Sequence, residues 1–290
     1  MAITVHGNNS AGYFLKIFKQ KLLDKYPEGE IESIFRLVLA DILNWPYSET
    51  LHLDGKRFSE SEILKVHKAL EKLKEGVPIQ LVAGVTEFYD LKIIVNEHVL
   101  FPRPETEYLI HIIKKEISSV PSKILDVCSG SGCIAIALKS IFPNSQVVAF
   151  EKSKEALMVS IKNSEELNLP VEFNELDIIE GHWPIDKVDV LVSNPPYIPY
   201  AELGDIDEHV WNHEPEMALM VPDNNPLIFY ERILQKGKEI MANNGHLFFE
   251  INPHFANELL SLGQDLGYAS KLILDLENKN RFLHCQWQGK

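Results

Sequence analysis

Cysteine is scarce in this chain: Cys128, Cys133 and Cys285 are three in 290 residues. An odd number without paired ligand spacing argues against a disulfide framework or a zinc site, and points to a reduced, cytoplasmic protein. No run of about 18 apolar residues occurs, so no membrane span is expected. The opening stretch MAITVHGNNS lacks the basic and apolar regions of a secretory leader. Positive charge is also short, with 28 Lys and Arg against 42 Asp and Glu, a net charge of −14. Proteins that grip nucleic acid draw most of their affinity from cations on phosphates, so no direct nucleic-acid partner is expected. The acidic balance keeps a cytosolic protein soluble or suits a basic protein partner; both readings stand. Internal repeats and low-complexity tracts are absent.

Apolar residues are plentiful at 45%, enough for one large core or two. Up to about residue 85 the pattern is helical. In SESEILKVHKALEKLKEG, Ser59 and Glu62 form a capping box, Ile63, Val66, Leu70 and Leu73 share a face, and Gly76 is a stop signal. Tyr13 to Leu23 and Ile31 to Leu43 carry similar stripes, which predicts a small helical bundle over residues 1–85. FYDLKIIVNEHVL is rich in β-branched and aromatic residues, and a β-hairpin linker turning at Asn96 and Glu97 is expected within 86–100. Over 101–290 the signals alternate. KILDVC, QVVAF, VEFNEL, VDVLVS and GHLFFEI read as strands, and 132–141, 154–166, 225–243 and 255–266 as helices. This predicts an α/β domain with a mostly parallel sheet covered on both faces, closed by an antiparallel pair near 270–275 and 281–286. Ligands in such sheets bind beyond the carboxyl ends of the strands, where the strand order reverses.

Two loops fall at that position. In ILDVCSGSGCIAIALK a strand ends near Val127 and a helix starts near Gly132, with Cys128, Ser129, Gly130 and Ser131 between them. Glycines let backbone amides approach a ligand, and the helix N-terminus adds partial positive charge. Glu151 closes the next strand, 19 residues after Gly132, where an acid can accept hydrogen bonds from ribose hydroxyls. A dinucleotide is one candidate ligand, but the pattern D-x-C-x-G-x-G differs from G-x-G-x-x-G. Asp126 would repel a pyrophosphate and attract an ammonium group. That combination favours S-adenosylmethionine; the plain alternative is a tight turn without a ligand.

The other loop is VLVSNPPYIPY, a buried strand broken by Asn194, Pro195, Pro196 and Tyr197. Proline cannot donate to a sheet ladder, so the strand stops here. An amide or aromatic amino nitrogen is a poor nucleophile because its lone pair is delocalised. The Asn194 carbonyl and the Pro195 backbone carbonyl can each accept one N–H of such a group and fix its plane, while Tyr197 offers a flat face. Orientation of this kind supplies up to about 7–11 kcal/mol of barrier reduction. The residues therefore suit methylation of a planar amine; a proline-rich turn that merely closes a strand is the alternative.

The Gly turn and the broken strand together resemble class I S-adenosylmethionine methyltransferases with an NPPY motif. VLFPRPETEYLI (99–110), GVPIQLVAGVTEFYDLKIIV (76–95) and EHVWNHEPEMAL (208–219) resemble the HemK/PrmC family, the protein-(glutamine N5) methyltransferases of peptide chain release factors. The resemblance runs from Pro78 to Arg281. It implies a Rossmann-like class I methyltransferase domain on a seven-stranded, mostly parallel sheet, with a helical N-terminal domain that docks the substrate. It implies that Asn194, Pro195, Pro196 and Tyr197 hold the glutamine amide. It also implies that Cys128 to Gly132, Glu151 and the region of Asp177 and Ile178, with Asp126 and Asn194, surround the cofactor. The chain departs from the family pattern at Cys128 (usually glycine), Glu151 (usually aspartate), Ile178 (often aromatic), Leu81 (commonly tyrosine) and Asn252 (commonly glycine).

The expected activity is thus methyl transfer from S-adenosylmethionine to the glutamine of the release factors' Gly-Gly-Gln loop by a monomer. The alternatives are methylation of an adenine amino group in DNA or RNA, and a module that senses the cofactor without turnover. Arg103, Glu105 and Glu107 read equally as a closure of the cofactor pocket or as a structural ion-pair cluster. His209 and His213, four apart, read as polar loop residues rather than metal ligands, and Cys128 as small-residue packing rather than a reactive thiol. No metal is expected.

Overall fold

The computed structural model describes residues 8–205 and 213–289. The chain forms two units, Met1–Val85 and Thr86–Lys290.

The first unit is helical. Helices α1 (Ala11–Leu22), α2 (Glu28–Leu37), α3 (Tyr47–Thr50), α4 (Glu60–Lys74) and α5 (Ile79–Ala83) follow one another, and α2 runs into a wider turn over Val38–Ile42. The Ser59–Glu62 capping box forms at the start of α4, each side chain reaching the other's backbone amide. Phe18, Leu22, Ile31, Phe35, Val66 and Leu73 meet in the core.

The second unit begins with the hairpin β1 (Val85–Phe88) and β2 (Leu91–Ile94). Its turn is Tyr89–Asp90, not Asn96–Glu97. Both turn residues have left-handed φ, +49° and +60°, the conformation that matches the right-handed twist of a tight hairpin. Asn96 forms a separate turn further on, its side chain accepting from the His98 amide at 3.0 Å. Next comes α6 (Pro104–Glu116), a helix absent from the expectation. The elements β3 (Lys123–Val127), α7 (Cys133–Ile141), β4 (Gln146–Glu151), α8 (Lys154–Glu166), β5 (Glu172–Glu175) and β6 (Val188–Ser193) then alternate. After a small parallel pair, β7 (Ile198–Pro199) and β8 (Met220–Val221), with α9 (Glu216–Leu219) between, come α10 (Ile228–Ile240) and β9 (Met241–Glu250). The chain closes with α11 (Ala256–Asp265), β10 (Tyr268–Leu274) and β11 (Asn280–Trp287).

The helix expected over 225–243 ends at Ile240. Met241 is already extended and Asn244 sits at φ +62°, so Met241–Gly245 forms an irregular first half of β9. The seven strands lie in the order β10-β11-β9-β6-β3-β4-β5. The five from β9 to β5 are parallel, and β11 is antiparallel to both β9 and β10. The order reverses between β3 and β6, whose ends pair Val127 with Ser193. The Gly turn and the NPPY corner therefore leave the sheet side by side at its carboxyl edge. Leu125, Val148, Leu191, Leu247, Phe249 and Tyr230 fill the core on one face. Among the described residues no helix is long and apolar enough to cross a membrane.

Candidate active site

A cavity of about 1070 Å³, counting its open mouth, lies at the sheet reversal, wholly within the second unit. One wall is the Gly turn. The Cys128 and Ser129 amides both donate to the Phe150 carbonyl (3.0 and 3.1 Å), and the Gly132 amide closes the turn on Ser129. Three of its residues have left-handed φ: Cys128 (+64°), Gly130 (+53°) and Gly132 (+78°). Glycine is required at 132, because a Cβ there would meet the Ser160 Cβ at 2.9 Å and the Phe173 ring at 3.0 Å. Cys128 holds the same backbone class with a side chain, at a cost of roughly 1–2 kcal/mol. Burial pushes its thiol pKa well up, aided by the Glu151 and Asp126 charges, which disfavours the reactive thiolate.

Glu151, at the end of β4, accepts from the Gly130 amide at 2.8 Å through Oε2 and from the Ser153 amide at 2.9 Å through Oε1. Each oxygen keeps a further lone pair for a hydroxyl. Asp126 lies beneath the turn rather than in the cavity wall. Its Oδ2 accepts from the Ala135 amide at 3.1 Å, in the first turn of α7, while its Oδ1 is buried without a partner. Burial, reinforced by Glu151, raises its pKa well above the carboxylate range. The Ser129 hydroxyl is likewise buried and unpartnered. On the far side, Asp177 accepts from the Ile179 amide (2.9 Å) and pairs with Lys152 (2.8 Å). Ile178 is buried, packs into the core and lines the cavity beside Leu176, Ile179 and Phe229. Apolar walls, an acid with spare acceptors and amides at a helix start form a set that fits S-adenosylmethionine.

The opposite wall is the NPPY corner. The Ser193 hydroxyl donates to the Val127 carbonyl at 2.6 Å and ties the ends of β6 and β3 together. Asn194 and Pro196 line the cavity; Pro195 and Tyr197 do not. The Asn194 Nδ2 donates to the Thr106 hydroxyl at 3.2 Å, and that hydroxyl donates to Glu250 Oε2 at 2.7 Å. Glu250 Oε1 accepts from the Tyr197 hydroxyl at 3.2 Å, and the Glu250 backbone carbonyl accepts from Tyr230 at 3.0 Å. Glu250 is 2% exposed, and burial raises its pKa against the Thr106 and Tyr197 hydrogen bonds that lower it. Asn252 donates to the Tyr197 carbonyl and to Glu202, bracing the corner from below.

Sequence reasoning missed Thr106, Glu250 and Asn163. The Asn163 side chain is fully buried, donates to the Ser131 and Ile94 carbonyls and accepts from the Ile94 amide, stapling the Gly turn to β2. A buried asparagine inside α8 and an acid at the end of an apolar strand were the available signals. Arg103 pairs at 2.5 Å with Glu214, whose side chain is fully buried and also accepts from the Phe101 amide. Burial raises the Glu214 pKa while the Arg103 charge opposes it. Neither Arg103, Glu105 nor Glu107 lines the cavity. His209 lies outside the described residues, so the geometry of the His209–His213 pair is not defined.

Residues 104–209 match the methyltransferase small domain model. The chain is 38% identical to a release factor glutamine methyltransferase of Flavobacterium psychrophilum, covering 93% of this chain and 97% of that one. The chain belongs to the release factor glutamine methyltransferases. A further member, from Bacteroides thetaiotaomicron, is 34% identical over 91% of this chain and 96% of its own length. Among solved structures, a methyltransferase from Pyrococcus furiosus superposes with a TM-score of 0.53 at 20% identity, covering 69% of this chain and 90% of its own. That likeness speaks for the fold alone. Within the release factor glutamine methyltransferase frame, Thr106, the Gly turn and Asn194 all fall inside the matched methyltransferase segment.

Proposed function

We propose that the chain transfers the methyl group of S-adenosylmethionine to the side-chain amide nitrogen of the glutamine in the Gly-Gly-Gln loop of peptide chain release factors. When bound, the cofactor supplies an electrophilic methyl carbon attached to a sulfonium. Glu151, the turn Cys128–Gly132 and the wall at Asp177 and Ile178 hold it. Asn194 and the Pro195 carbonyl, which lies between β6 and β7 and outside both ladders, accept the two N–H bonds of the glutamine NH2. Two fixed acceptors set the plane of that group and favour localisation of its lone pair on nitrogen. The residue pair Pro195–Pro196 is buried and rigid, so little conformational freedom is lost on binding. No base is needed in the transfer step, because the methylated amide loses its proton readily to water.

The carrying observation is that Asn194 lines the same cavity as the Gly turn, with its amide nitrogen tied back into the protein. We assign docking of the folded release factor to the helical unit Met1–Val85, which a comparison of KM for intact release factor and for a short loop peptide tests. The activity is tested by incubating purified release factor with the enzyme and methyl-labelled cofactor. Intact-mass analysis should show a gain of one methyl group, mapped to the loop glutamine; label in nucleic acid instead would favour an adenine acceptor.

A further inference from the structure

The acceptor corner works only if Asn194 offers its carbonyl to the cavity. A side-chain amide presents an acceptor one way round and a donor the other, and a donor would oppose the substrate NH2. What decides the orientation lies outside the NPPY motif. Thr106, 3% exposed in the first turn of α6, has one hydroxyl proton. At 2.7 Å from a buried carboxylate oxygen, that proton goes to Glu250. The hydroxyl can then only accept from Asn194, which forces Nδ2 toward Thr106 at 3.2 Å and frees Oδ1. Glu250 takes a second proton donor, Tyr197, on its other oxygen, so one carboxylate sets the polarity of both ends of the corner.

We infer that Thr106 is a positioning residue for methyl transfer, relaying the acceptor character of Glu250 to Asn194 and so fixing which face of that amide meets the substrate. The inference rests on the proposed glutamine-methylating reading. It assigns a role to a residue 88 positions away from Asn194 in sequence. A protonated Glu250 would reverse the relay: its O–H would donate to Thr106, and Thr106 to the Asn194 carbonyl. The groups around Glu250 are Thr106 and Glu105 of α6, Tyr197 of the corner, Arg281 of β11, Tyr230 of α10 and Cys133 of α7. Arg281 is the cation among them, and it favours the ionised form that the relay needs.

The test is steady-state kinetics of the full chain on release factor, with cofactor affinity measured by calorimetry. For Thr106→Val, which keeps the shape and removes the hydroxyl, kcat should fall about 10–100-fold while cofactor Kd stays within about threefold. Thr106→Ser restores the hydroxyl and should return kcat to within about fivefold of wild type. If the valine variant does not fold, Thr106→Ala, which lets water reach Glu250, is judged by the same criteria. A kcat unchanged in the hydroxyl-free variant overturns the inference, as does a serine variant equally slow, or a loss confined to cofactor Kd. A wild-type enzyme that leaves release factor unmethylated fails the underlying reading instead, and is distinguished by that control.

Discussion

The two walls of the cavity are built on opposite plans. The Gly turn is set mainly by its backbone: Cys128 and Ser129 bond the Phe150 carbonyl of the neighbouring β4, Gly132 bonds Ser129, and φ is left-handed at three positions within five residues, with the Glu151 and Asn163 side chains as braces. The NPPY corner is held by side chains from afar, through Thr106 on α6, Glu250 on β9 and Asn252 beyond it. A loop that cradles a cofactor with amides is specified mostly by backbone conformation and a helix start. A corner that must present one specific face of an amide needs a proton relay, and a relay draws on whichever strands happen to be adjacent.

The contrast can be broken from either side. The largest effect belongs to the corner. Asn194→Ala should lower kcat by about 10³-fold with cofactor affinity nearly unchanged; turnover near wild type would remove Asn194 from the mechanism. Gly132→Ala attacks the other wall. Its new Cβ meets Ser160 and Phe173 in a left-handed backbone, so cofactor Kd should rise about 10–100-fold, and stability should drop by about 1–3 kcal/mol. An unchanged Kd by calorimetry would show that the turn is not the binding element.

Asp126 sharpens the comparison, because its carboxyl is buried beneath the turn with one oxygen unpartnered. A carboxyl whose folded pKa is raised binds protons more readily folded than unfolded, so it costs stability as pH rises through that folded pKa. Asp126→Asn should therefore stabilise the fold at pH 8 by about 1–3 kcal/mol, and the gain should shrink as pH falls toward the ordinary carboxylate range. A gain that grows toward acid pH would contradict the assignment. The smallest effect is Cys128→Gly. Relieving a side chain at φ +64° should stabilise the fold by about 1 kcal/mol, less the added chain entropy of glycine. Unchanged or lower stability in a denaturant titration would show that the turn carries no strain there.

What the sequence showed follows the same division. Strands β3, β4 and β6 were legible because buried parallel strands read as short apolar runs, and α8 because its caps and periodicity agree. The Gly turn was legible because glycine and helix starts are local signals. Helix α6 was missed although Pro104 at its start, Glu105 and Glu107 in its first turn and Lys114 and Lys115 in its last mark it plainly; the motif resemblance of the same stretch drew attention to its charges instead. The hairpin turn was misplaced because Tyr89–Asp90 lacks the Asn-Gly signature, and the strong turn former Asn96 stands six residues beyond Asp90. Thr106 and Glu250 could not be paired in advance, since they lie 144 residues apart and meet only where α6 packs against the end of β9.

The central claim is that the corner recognises a planar NH2 through two acceptors. Its most direct measurement is the initial rate of methyl transfer to release factor carrying Gly-Gly-Gln against the same protein with that glutamine changed to glutamate. Two acceptors facing a carboxylate leave its oxygens repelled and unpaired, so the account predicts a rate lower by about 10⁴-fold or more. Comparable rates on the two proteins would contradict it.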